Sequence, residues 1–327
     1  MKIATIGTGV IVEQFIRSLE EINGAQCKAI FSRNIEKARD FAKRNNIDRY
    51  FDDLNLLLSD IEVDTIYVAS PNSLHFKHAQ SALNAGKNVI CEKPFTSNTH
   101  ELLSLIELAK AKNLFLFEAI TTVHMPNYSL LKEKVNNVGQ IKFVQCNYSQ
   151  YSKKYDSLKS GGLPNIFNPD FSGGALMDIN VYNIHFVVGL FGDPVFSNYY
   201  PNLHDNGIDT SGLLVMKYKD FIVSAVGCKD STSMNFVLIQ GEKGYIHVIN
   251  GANGCESVYL STDGSVTHLN EQNTVKKMTY EISKFHEIIE NKDYPACHKL
   301  LDHSKTVIDI ITNTRKKIGI SFPADVV

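Results

Sequence analysis

Lys2-Ile3-Ala4-Thr5-Ile6-Gly7-Thr8-Gly9-Val10-Ile11-Val12 is the stretch on which the reading of the fold turns. Lys2 to Ile6 is a short β-rich run, and Val12, Phe15, Ile16 and Leu19 follow at helical spacing. A glycine-rich turn that ends a strand and opens a helix is the context a dinucleotide fingerprint requires. Gly7 allows the tight turn. Gly9 lets the backbone approach a pyrophosphate, which the helix N-terminus stabilises. Thr8, Val10 and Ile11 complete the candidate contact loop. Val12 replaces the third small residue, which implies a slightly wider helix–sheet gap and leaves phosphate binding intact. The competing reading is a glycine-rich turn with no ligand, and the rest of the chain weighs between the two.

Strand and helix patterns keep alternating. Strands are expected near 27–31, 65–69, 88–91 and 114–117, with helices after Asn34, over 73–84 and over 99–111. Asn34 is a candidate N-cap, and Gly86 sits where glycine ends a helix. Such alternation with short connections implies a doubly wound parallel sheet with right-handed crossovers. At the end of the second strand, an Asp or Glu would hold the ribose 2′-hydroxyl of NAD. This chain has Ser32-Arg33-Asn34, with Lys37 one turn on. A hydroxyl beside a guanidinium suits a 2′-phosphate, which favours NADP over NAD. If Arg33 is only a solvated loop charge, the cofactor choice stays open.

After about residue 120 the alternation stops. Residues 140–151, 208–218, 221–229, 233–240 and 243–249 carry β-rich runs joined by short turns, which reads as a mostly antiparallel sheet in an α+β domain. The expected organisation is a nucleotide-binding Rossmann domain over 1–120 and a substrate-binding and dimerisation domain over 121–327. Amphipathic helices near 274–290 and 298–317 pack back on the body.

Composition narrows the function classes. The 327 residues carry a formal net charge of −2, 43% hydrophobic and 21% charged residues, typical of a globular protein. That balance offers no basic footprint for nucleic acid or an anionic membrane. No apolar run reads as a membrane span, and the N-terminus lacks the long apolar stretch of a signal peptide. Six cysteines at 27, 91, 146, 228, 255 and 297 are scattered without a C-x-x-C pair. This argues against zinc and against a disulfide framework, with no metal site expected, and for reduced thiols in the cytoplasm.

Lys93 is the residue with the sharpest chemical reading. It follows the apolar strand Asn88-Val89-Ile90 within Cys91-Glu92-Lys93-Pro94. The carboxyl end of a buried parallel strand faces the crevice where open α/β sheets bind ligands. Pro94 forces the chain out of the sheet there. A second constellation lies on the helix that starts near Gly174. Asp178, Tyr182 and His185 are spaced i, i+4, i+7, so they share a face of an otherwise apolar helix. A buried hydrogen-bonded trio with a purely structural role is the alternative.

Five motifs in order then resemble one family. They are Gly7-Thr8-Gly9, Ser70-Pro71-Asn72 with His75, Glu92-Lys93-Pro94, Glu118-Ala119 and Gly173-Gly174-Ala175-Leu176-Met177-Asp178. Together they resemble the Gfo/Idh/MocA oxidoreductases, over most of the chain. A tyrosine four residues after Asp178 looks like the branch of dihydrodiol and xylose dehydrogenases. The resemblance implies that Ser70, Pro71, Asn72 and His75 border the cofactor, with Glu92 and Lys93 beside them. It implies catalysis by Lys93, Tyr182 and Asp178: Lys93 holds the reacting oxygen and lowers the pKa of Tyr182, the general acid–base, while Asp178 orients Lys93 or binds substrate hydroxyls. His185 stands where many relatives have Asp, which leaves its role open, and Asn180 replaces a common glycine. The implied activity is hydride transfer between nicotinamide and a sugar, polyol or related diol, in a homodimer paired through the second-domain sheet. Two other uses of this scaffold stay open: a cofactor-binding regulator without net redox turnover, and an NAD-dependent glycosidase.

Overall fold

The computed structural model describes residues 1–274 and 276–326. The chain divides into two compact units, Met1–Ala119 with Thr274–Lys305, and Ile120–Asn273 with Thr306–Val327. The units are therefore not consecutive in sequence, because 274–305 returns to the first.

The first unit holds a six-stranded sheet of β1 (Lys2–Ile6), β2 (Gln26–Phe31), β3 (Arg49–Phe51), β4 (Thr65–Val68), β5 (Asn88–Glu92) and β6 (Leu116–Ala119). Its order is β3-β2-β1-β4-β5-β6, and every pairing is parallel. The order reverses between β1 and β4, so a crevice opens beyond their carboxyl ends, as in doubly wound nucleotide-binding folds. Helix Val10–Leu19 turns Val12, Phe15, Ile16 and Leu19 inward, and Phe15 stacks on Tyr67 of β4 with ring centroids 3.7 Å apart. Asn34 caps the next helix by accepting from the Lys37 N–H at 3.0 Å. Gly86 follows helix His75–Asn84 with φ +77°.

Two expectations for this unit shift. The last strand runs 116–119, two residues beyond the 114–117 that apolarity suggested, so Glu118 lies inside the sheet. β3 was not anticipated, because three residues carry too little pattern.

The second unit is built on an eight-stranded sheet. Its strands are β7 (Ile141–Ser149), β8 (Phe196–Leu203), β9 (Asp209–Lys217), β10 (Ile222–Cys228), β11 (Phe236–Gly241), β12 (Gly244–Ile249), β13 (Ser257–Thr262) and β14 (Ser265–Leu269). The order is β14-β13-β12-β11-β7-β10-β9-β8, antiparallel except for β7 with β10. Alternation sorts its two faces. Register aligns Val258, Val248, Val237, Cys146, Ala225, Leu214 and Tyr199 in one row, all buried. The adjacent row on the other face, Tyr259, His247, Leu238, Gln145, Ser224 and Val215, is only half-buried. β8, β13 and β14 lie outside the β-rich runs read from the sequence: β8 and β14 are edge strands without clear alternation, while β13 is an interior strand that was not anticipated either. Helix Lys153–Lys159 also interrupts a stretch that reads as loop.

The segment Pro169–Phe191 is long and apolar enough, by length and composition, to cross a membrane, which the sequence reading had not credited. In the fold 72% of its most apolar window is buried within the protein, as in the core helix of a globular domain.

Candidate active site

The glycine loop sits at the switch point of the parallel sheet. Gly7 has φ +128°, and a Cβ there would lie 2.6 Å from the Ala69 carbonyl oxygen. Any side chain at Gly7 would therefore strike the end of β4. Gly9 differs: its φ is −84°, and a Cβ would meet nothing within 4 Å. The protein itself does not need a glycine at position 9, but a phosphate approaching the helix N-terminus does. Val10 and Ile11, at the start of that helix, are 73% and 37% exposed. Val12 is fully buried against the sheet.

A cleft of about 200 Å³ opens beside this loop, lined by Ile6, Gly7, Thr8, Phe31, Ser32, Arg33, Ala69, Ser70, Pro71, Leu74 and His78. It brings together three of the expected cofactor segments: the glycine loop, Ser32-Arg33 and Ser70-Pro71. These residues fit a nicotinamide dinucleotide, with Arg33 exposed at the rim and the Gly9 backbone open to phosphate.

His78 enters the cleft wall unannounced by the sequence. Its Nδ1 lies 2.9 Å from Ser70 Oγ, and burial, with His75, Lys77 and Arg33 nearby, lowers its pKa to about 4. His75, expected at the cofactor, is instead 1% exposed. Its two ring nitrogens lie 2.9 Å from the Pro94 carbonyl and 2.8 Å from the Ser70 carbonyl. Burial holds its pKa low, and a neutral ring donates from one nitrogen only. His75 thus braces the loops after β4 and β5 from behind. Asn72 opens a 3₁₀ turn, Asn72–Leu74, just beyond the end of β4.

From Val89 to Asn98 every residue is buried except Lys93. The turn that presents it is pinned on two sides. His75 meets the Pro94 carbonyl, and Glu118 Oε1 accepts from the Phe95 N–H at 3.1 Å. The Lys93–Pro94 peptide is cis. Glu92 is buried and accepts the Tyr67 hydroxyl at 2.5 Å. Burial pushes the Glu92 pKa up to about 7, against the opposing pull of Tyr67 and Lys93. Burial, with Glu92 and Glu118 close by, also raises that of Glu281. Nothing in the sequence pattern distinguishes these buried carboxyls from solvated ones.

In the second unit, Asp178 lies in a π-helical turn, Leu176–Asn180, that leads into helix Val181–Phe191. Single π turns inside α-helices concentrate at functional sites. From Ser172 to Val188 every residue is buried except Asp178 and Tyr182. The Tyr182 ring meets Tyr148 edge-on at 5.6 Å, and Asn253 donates to the Tyr148 hydroxyl at 2.8 Å. His185, expected on the same face, is fully buried, so it does not surface with the other two. Asn180 fills the place of a small residue without strain. Its amide donates to the Ala225 carbonyl at 3.0 Å, opposite Gly227, where a Cβ would come within 2.7 Å of Asn180 Cβ.

Among the described residues no group of three or more His, Cys, Asp or Glu is arranged to hold a metal ion. No disulfide joins any of the six cysteines.

Residues 1–119 match the model of the oxidoreductase family with an NAD-binding Rossmann fold, GFO_IDH_MocA, and residues 131–247 match a Gfo/Idh/MocA C-terminal domain. The scyllo-inositol 2-dehydrogenase (NADP(+)) of Bacillus subtilis is 36% identical over 99% of both chains. A trans-1,2-dihydrobenzene-1,2-diol dehydrogenase of Xenopus tropicalis is 27% identical over 96% of this chain and 97% of its own. In fold, KijD10, a 3-ketoreductase from Actinomadura kijaniata solved with NADP and TDP-benzene, superposes with a TM-score of 0.85 at 20% identity, covering 97% of each chain. The chain therefore belongs to the Gfo/Idh/MocA family of oxidoreductases.

Proposed function

We propose that this protein is an NADP-dependent dehydrogenase or reductase acting on the CH–OH or carbonyl carbon of a sugar, polyol or related diol. The observation that carries the reading is the exposure pattern. Lys93 alone surfaces between Val89 and Asn98, and Asp178 and Tyr182 alone surface between Ser172 and Val188. A charge or phenol kept at the surface of an otherwise buried, braced element suits a ligand contact. The similarity to an inositol dehydrogenase over nearly the whole chain supports the polyol class.

The cleft residues divide the cofactor. Gly7, Thr8 and Gly9 cradle the pyrophosphate at the helix N-terminus, with Val10 and Ile11 packed beside it, and Ser32 and Arg33 take the 2′-phosphate. Ser70 and Pro71 form the opposite wall. When bound, NADP supplies the hydride chemistry, and the protein supplies placement and charge. Lys93 donates a hydrogen bond to the reacting oxygen and stabilises the negative charge that develops on it. Tyr182 is the general acid–base that moves the substrate proton. Asp178 accepts hydrogen bonds from neighbouring substrate hydroxyls. The half-buried row through Leu238, Ser224 and Val215 supports a homodimer that closes over this sheet face. Six cysteines outside any disulfide fit a reducing cytoplasm.

Fluorescence titration with NADPH and NADH, followed by an oxidation panel of inositols, aldoses and cyclic diols with NADP⁺, tests this reading. Tighter NADPH binding and turnover of at least one polyol are expected. Cofactor that copurifies and never turns over would favour the glycosidase use of the scaffold. Binding without any turnover would favour a regulator.

A further inference from the structure

Lys229 directly follows β10 and is 6% exposed. Its Nζ makes a close ion pair with the Asp178 carboxylate, and the two side chains are 8% and 24% exposed. Lysine is rarely buried unless it is paired, because stripping water from an ammonium is costly. A buried ion pair is accordingly a weak source of stability. The π turn is already anchored without it. Asp209 accepts the Leu176 N–H at 2.6 Å and the Tyr199 hydroxyl at 2.7 Å, while Asn180 and Asn183 donate to the Ala225 and Val226 carbonyls at 3.0 and 2.9 Å. These anchors to β9 and β10 hold the turn and the start of the helix that follows it, and Lys229 adds the contact to the Asp178 carboxylate.

We propose that Lys229 is a positioning residue that holds Asp178 ionised and aimed, making it a fixed hydrogen-bond acceptor for substrate hydroxyls and keeping it out of proton transfer. An ammonium in contact favours the charged carboxylate and removes its torsional freedom. The assignment follows from residues within one unit, and its substrate side rests on the polyol reading above. It also separates the roles of the two surfaced residues, leaving the phenol of Tyr182 to carry the proton.

The test compares wild type, Lys229→Met, Lys229→Gln and Lys229→Arg as full-length proteins. With NADP⁺ and the best polyol of the panel, Lys229→Met and Lys229→Gln should raise KM by about ten- to hundredfold, the worth of a charge-assisted hydrogen bond. kcat should change far less, NADPH affinity should hold, and Lys229→Arg should recover most of the loss. A merely structural lysine would lower folded yield or kcat and leave KM unmoved. Independently of turnover, the carboxyl resonance of Asp178 in ¹³C-labelled protein, assigned with Asp178→Asn, should titrate at higher pH in Lys229→Gln than in wild type. Unchanged KM in both neutral variants, or an unchanged titration, overturns the proposal. If wild type oxidises no polyol, the polyol reading fails, and the carboxyl titration still decides what Lys229 does.

Discussion

Replacing Arg33 by Ala probes the cofactor reading where its physics is simplest. Arg33 is exposed at the rim of the cleft, next to Ser32 and across from Ser70 and His78. Two unit charges 4 Å apart attract by about 1 kcal/mol in bulk water and about 4 kcal/mol at a protein surface of effective dielectric 20. A hydrogen bond to a charged group is worth about 1.5–3 kcal/mol net. Because the guanidinium is solvated before binding, the lower part of that range applies, about 1.5–2.5 kcal/mol. Arg33→Ala should then weaken NADPH binding by about 13- to 70-fold. NADH lacks the 2′-phosphate and should bind within about twofold of wild type, so nearly the whole loss appears in the NADPH/NADH selectivity ratio. The assay is a fluorescence titration with both cofactors at low salt and at 0.5 M KCl. Salt screens an exposed charge pair, so selectivity should fall with salt in wild type and stay flat in the variant. Equal weakening of both cofactors would mean that Arg33 touches a phosphate common to both. No weakening of either would return Arg33 to a solvated loop charge, and each result refutes the reasoning.

Three further outcomes are expected. Gly9→Val keeps its fold, since a Cβ there meets no protein atom and φ is ordinary, but loses cofactor binding; thermal unfolding alongside NADPH titration separates the two effects. Tyr182→Phe lowers kcat by about 10²–10⁴-fold with NADPH affinity nearly intact, and a fully active variant would remove Tyr182 from proton transfer. Glu92 has its folded pKa raised to about 7 from an ordinary 4.5, so its contribution to stability is greatest below pH 4.5 and is lost as pH rises through 7. Glu92→Gln should flatten that slope and be more stable than wild type at pH 8, by an amount on the order of 1–3 kcal/mol. Equal pH dependence of unfolding in the two proteins would contradict it.

Short-range pattern explains why so much of the first unit could be read from the chain. Glycine, turn and cap requirements act over three or four residues, so Gly7, Asn34 and Gly86 announce their roles locally. Buried parallel strands are apolar on both faces, and β1, β4 and β5 stand out for that reason. The reading weakened where the signal depends on neighbours distant in sequence. β8 and β14 are edge strands whose exposed residues lack alternation, and β6 was displaced because Glu118 is buried by pairing with Phe95. His75 and His78 are three residues apart on one helix, and no local rule says which faces the cleft.

By itself the amino-acid sequence determined the doubly wound first unit, the glycine cradle, and the candidacy of Lys93, Asp178 and Tyr182. Those follow from periodicity and from ordered motifs. Only the tertiary structure decided which polar groups are buried, and hence what each one does. It turned His75 and Glu92 inward as braces, brought His78 to the cleft wall, and set Lys229 against Asp178 from 51 positions away. The physical reason is that burial and charge pairing depend on which strand ends come together, a property of the sheet order and not of any one segment.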